Sequence, residues 1–79
     1  MSGGVKESIK TTLQIINKAL KQVPSDKRIL LTSRINEVLS KYQSHMNENE
    51  ALEKFSKELQ FNLNFIKLSH PTLDYSPAK

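Results

Sequence analysis

The chain has 79 residues, 37% of them hydrophobic, with three Phe, two Tyr, no Trp and no Cys. That length makes one domain, 1–79, near the lower limit for a self-sufficient core. The absent cysteines exclude a disulfide framework and a thiolate metal site, and they favour a cytoplasmic home.

The opening "MSGGVKES" has no apolar h-region and predicts no signal peptide. A first helix is predicted over about 5–23, "VKESIKTTLQIINKALKQV". Val5, Ile9, Leu13, Ile16, Leu20 and Val23 recur in steps of three and four, which places them on one face of a 3.6-residue helix. Lys6, Lys10, Gln14, Lys18 and Lys21 lie opposite, and Ile15 falls at the edge of the stripe. Pro24 stops the helix, because it disfavours helical geometry in the residue before it.

Ser25 or Asp26 offers an N-cap for a second helix over about 26–46. Leu31, Ile35, Val38, Leu39, Tyr42 and Met46 form its stripe, and Ile29 and Leu30 are placed to clasp the preceding turn. So short a connection makes the first two helices antiparallel. "NENE" follows, with Asn47 or Asn49 as cap and Glu50 completing a capping box with Asn47.

The next run, "LQFNLNFIKL" (59–68), alternates apolar and polar like a strand. No other segment offers a strand partner, and an isolated strand cannot satisfy its own backbone. As a helix over about 48–69, the run resolves into two stripes. Leu52, Phe55, Leu59, Leu63 and Ile66 form the core face; Phe61, Phe65 and Leu68 lie nearly opposite. Each large side chain left uncovered forgoes roughly 1.5–3 kcal/mol. Three covers are open: the tail folding back after His70-Pro71 with Leu73 and Tyr75, a central position for the third helix, or a partner. Phe61, Phe65, Leu68, Leu73 and Tyr75 are therefore the candidate partner-binding residues. The tail, 70–79, is polar and carries two prolines, and a short fourth element from it is left open.

Charge is uneven. Residues 1–45 carry eight Lys and Arg against Glu7, Asp26 and Glu37, within a net charge of +4. Lys18, Lys21, Lys27 and Arg28 cluster around the first turn as a candidate basic patch. A lysine-rich solvated surface explains this, as does attraction to an acidic protein, nucleic acid or anionic lipid. A helix-turn-helix DNA reader would use such a turn and a basic second helix. Against it, "ILLTSRINEVL" is only moderately polar and the turn has no glycine. The first helix, apolar on one side and lysine-rich on the other, also allows transient contact with a membrane surface. No run reaches the roughly 18 apolar residues of a transmembrane helix.

Catalytic signatures are missing. There is no phosphate-cradling glycine loop, no G-x-S-x-G, no H-E-x-x-H and no Cys/His pair. His45 and His70 stand a helix apart, and Glu50, Glu53 and Glu58 alternate with Lys54 and Lys57 as ordinary surface pairs. The expectation is a non-enzymatic protein with no cofactor and no metal.

The run "ALKQVPSDKRILLTSRINEVLSKYQ", followed by "NEALEKFSKELQ", resembles the small cytosolic immunity proteins that protect bacteriocin producers. The resemblance covers roughly residues 19–60. It rests on a lysine-bearing helix, a Pro/Asp turn, Leu31, Arg34, Ile35 and Asn36 on the next helix, and a final amphipathic helix. It implies a short, basic, all-helical protein without catalysis. Such a protein recognises a complex of membrane receptor and bacteriocin from inside the cell and blocks the pore. It also implies that the C-terminal half and tail select the bacteriocin. The sequence thus predicts an all-α, antiparallel three-helix bundle acting by protein–protein contact. A structural subunit or adaptor of a larger helical assembly is the second reading, and a small DNA-binding protein the third.

Overall fold

A computed structural model describes residues 4–76; Met1–Gly3 and the last three positions of the tail lie outside the described residues. Three helices, α1 (Gly4–Gln22), α2 (Ser25–Tyr42) and α3 (Asn49–Ser69), are joined by a two-residue turn and by a 3-10 turn at Gln43–His45. The described residues contain no strand, and the all-α three-helix bundle stands. Helix direction follows from the bonds between helices. Gln60 donates to Thr12, and Gln22 reaches Asp74 just beyond α3, so α1 and α3 run the same way. Lys41 meets Glu58 while Arg34 meets Asn62, so α2 runs against them. Helix α3 packs on both of the others, and α1 touches α2 much less.

The apolar stripes meet in the middle. Ile9, Ile16, Leu20 and Val23, then Leu31, Ile35, Val38 and Tyr42, join Leu52, Phe55, Leu59, Leu63 and Ile66 of α3 in one buried core. Val5 and Leu13, expected inside, are only half-buried at its margin. Thr12 is buried instead. Its hydroxyl donates to the Ser8 carbonyl at 2.8 Å and accepts from Gln60 at 2.8 Å, so this polar group enters the core satisfied.

Helix α2 differs from its sequence reading at both ends. Its N-cap is Pro24, whose carbonyl accepts the Lys27 and Arg28 amides, so neither Ser25 nor Asp26 caps it. The Arg28 guanidinium reaches the other way, to the carbonyls of Val23 (2.9 Å) and Lys21 (3.4 Å) at the end of α1. One side chain thus satisfies carbonyls that the helix end leaves without partners. Ile29 and Leu30 do not clasp this turn; they are 70% and 71% exposed. At the far end the helix stops at Tyr42, and Leu39 and Met46, expected on the stripe, are exposed. The N-cap of α3 is Glu48, and no side-chain cap bond forms, so the Asn47/Glu50 capping box is absent. The Glu48 carboxylate instead meets His45 Nδ1 at 2.8 Å.

The tail adds no fourth helix among the described residues. It makes a turn at 71–72 and then lies irregularly along the bundle. Asp74 pairs with Lys18 at 3.0 Å, and its backbone exchanges hydrogen bonds with the Gln22 amide.

Candidate functional site

Helical geometry, at roughly 100° per residue, puts Phe61, Phe65 and Leu68 about 160°, 120° and 180° from the centre of the core stripe. They are 66%, 39% and 83% exposed respectively. The described part of the tail, through Ser76, does not cover them, which corrects the expectation that Leu73 and Tyr75 fold over Phe61 and Phe65. Both tail residues are half-buried against the core on the α1 side of α3. There the Tyr75 hydroxyl donates to the carbonyls of His70 (2.5 Å) and Ile66 (3.3 Å), and Lys67 lies 5.5 Å above its ring. Burial pushes the Tyr75 phenol up. Nor does α3's position between its neighbours bury the second stripe. The five candidate partner-binding residues therefore divide: three share an open face, and two belong to the docked tail.

On the α2 side the open face is extended by residues that sequence spacing alone does not connect. Phe65 leans towards α2 and lines an open groove of about 580 Å³ with Leu30, Leu31, Lys27, Arg34 and His70. Arg34 crosses the groove with its guanidinium carbon 4.5 Å from the centre of the Phe65 ring. Its Nε donates to Asn62 Oδ1 at 3.3 Å, and the Asn62 amide donates to the Glu58 carbonyl at 2.7 Å. Stacking and one hydrogen bond therefore fix the plane of the guanidinium. Glu37, one turn along, lines the same groove, yet the two form no ion pair. Below the groove, Tyr42 donates to the Glu58 carboxylate, which also pairs with Lys41 at 3.2 Å. The Tyr42 bond, helped by Lys41, holds the Glu58 carboxyl below its ordinary range, and the same bond raises the Tyr42 phenol. Glu58 is thus an interhelical strut, not the within-helix surface partner its spacing predicts.

Two of the four residues of the basic patch have structural duties. Arg28 holds the end of α1, and Lys18 binds Asp74 and the Ser76 carbonyl (3.5 Å). Lys21 and Lys27 are exposed and make no side-chain hydrogen bond or ion pair within the described residues. No group of three or more metal-binding side chains occurs among the described residues.

Leu30, Arg34 and Asn62 are the residues of this face that sequence reasoning does not assign to it. Leu30 and Arg34 stand four apart, and so do Phe61 and Phe65. An i, i+4 pair of Leu and Arg beside the α2 stripe, opposite two phenylalanines off the α3 stripe, was the available signal. No family model, no characterised protein and no solved structure matches this chain.

Proposed function

We propose that the chain is a non-enzymatic binding module that acts by protein–protein contact through the α2–α3 face. One observation carries this reading. Phe61, Phe65 and Leu68 lie exposed in a row on α3, Phe65 shares a groove with Leu30, and the described part of the tail docks elsewhere. Apolar side chains gathered on one face of so small a protein favour burial against a partner.

The most specific version follows from the sequence resemblance. The chain is a bacteriocin immunity protein working in the cytoplasm, and its partner is the complex of membrane receptor and bacteriocin. The C-terminal half, where that family selects its bacteriocin, here contributes the open apolar row. No described helix is long and apolar enough to cross a membrane. Producing the chain in sensitive bacteria and challenging them with purified bacteriocins tests the proposal. Survival is expected, with loss of protection in Phe65→Asp at unchanged helicity. Unchanged killing by every bacteriocin tried would sink the immunity reading.

A second reading, the subunit of a larger helical assembly, draws on Ile29, which is 70% exposed on the outer side of α2 away from the groove. An assembly subunit uses more than one face, whereas an immunity protein remains monomeric. Mass in solution across a concentration series separates them.

A further inference from the structure

We propose that the α2–α3 groove receives an acidic amphipathic helix, whose apolar side packs on Leu30 and Phe65 and whose carboxylate is taken by Arg34. The proposal rests on the docking reading above and names its partner's chemistry. Three observations favour it.

The first is the state of Arg34. A guanidinium offers five N–H donors in a planar fork matched to a carboxylate. Here Nε is used by Asn62, the plane is fixed over Phe65, and the terminal nitrogens make no hydrogen bond within the described residues. Arginines on protein surfaces usually lose rotamer freedom when they bind. This one has already lost much of it, so less ordering remains for the moment of binding. Glu37 stands close enough to line the same groove and does not take the fork.

The second is charge. Lys27 joins Arg34 along the groove against Glu37 alone, and the whole chain carries +4. A second copy of this basic chain meets repulsion here, whereas an acidic segment is drawn in.

The third is shape. Leu30, Leu31 and Phe65 line a trough between two antiparallel helices rather than a convex cap. A trough suits a helix presenting anchors at i, i+3 or i+4 and i+7. A lipid surface would favour a protruding face with its cations set around the rim.

The test is an NMR titration of the isotopically labelled whole chain. The probe is a synthetic helical peptide of Leu, Ala and Glu, with leucines on one face and glutamates flanking them. A peptide with every Glu replaced by Lys is the control. The acidic peptide is expected to give saturable shifts at Leu30, Arg34 and Phe65, and the lysine peptide none there. Arg34→Gln should weaken binding by about tenfold or more, as loss of a charge-assisted pair does. Arg34→Lys, which keeps the charge without the fork, should recover only part of it. Glu37→Gln should tighten binding.

If the lysine peptide binds these residues equally well, the acidic occupant is wrong and the docking face stands. If neither peptide binds the groove at millimolar concentration, the acidic helix is overturned, and the docking face is then judged by the survival assay. Two further results overturn the proposal. One is binding of phosphatidylglycerol vesicles through Leu30 and Phe65 that the acidic peptide does not displace. The other is self-association through the groove that Arg34→Gln abolishes.

Discussion

The Tyr42 hydroxyl donates to the Glu58 carboxylate across the seam between α2 and α3, and Lys41 closes on the same oxygen. The two groups shift in opposite directions, and each shift sets one edge of a pH window. Glu58 is lowered, so its contribution to stability is complete above the ordinary carboxyl value of about 4.3 and is lost as pH falls through its folded value. Tyr42 is raised, so its contribution is complete below about 10 and is lost as pH rises through its folded value. Urea unfolding of the wild type and Tyr42→Phe across pH should show a constant gap between these edges. The gap should narrow towards acid.

Phe55 and Phe61 point about 120° apart around α3, the first fully enclosed and the second two-thirds exposed. Phe55→Ala should cost about 3–5 kcal/mol, enough to unfold much of so small a domain. Phe61→Ala should change stability by less than about 0.5 kcal/mol. Denaturant midpoints measured on the two variants check both values. A large loss at Phe61 would mean that the second stripe belongs to the core.

Asp74 fastens the tail. Two bonds from Ser76, with Lys18 behind them, hold its carboxyl well below the usual range. A lowered carboxyl stabilises fully above its ordinary value, and its contribution fades as pH falls through the folded one. Strong acid should therefore loosen the tail, as should Asp74→Ala at neutral pH, leaving the backbone bonds to Gln22 in place. The Tyr75 ring signals should then move towards those of an exposed tyrosine, while the helical circular dichroism stays unchanged.

Arg28→Ala removes a clasp rather than a surface charge. The carbonyls of Lys21 and Val23 lose their donor. A loss of about 1 kcal/mol is expected, since part of the exposed end is rehydrated. Lys27→Ala, without such bonds, should leave the denaturant midpoint in place.

Much of the core was legible in the spacing of apolar residues. Every residue of the α3 core stripe is buried, and the strand-like alternation of 59–68 is two helical faces read together. The errors fall where spacing carries no information. Leu39 sits one residue from the buried Val38, and a turn of about 100° is enough to bring it to the surface. The caps were misplaced because Pro24 and Glu48 end the non-helical stretches through backbone geometry alone. The tail's destination depended on Lys18 and Gln22, which lie one turn apart on α1 and far from the tail in sequence. Ile15 shares their side of α1 and is partly buried against the core. The open face was half legible. Its phenylalanines announce themselves, but the Arg34 fork needs three helix positions on two helices to come together.

Because α3 is the common neighbour of two helices that hardly touch each other, the order of synthesis acquires a meaning. While the chain is being made, α1 and α2 have little to hold them together, and Ile16, Leu20, Leu31 and Ile35 stay uncovered. Only when the last helix emerges does every apolar stripe find its partner. The bundle should then form in one cooperative step once α3 is available, not helix by helix. A chain cut short within α3 should give an unfolded, protease-sensitive product instead of a smaller bundle.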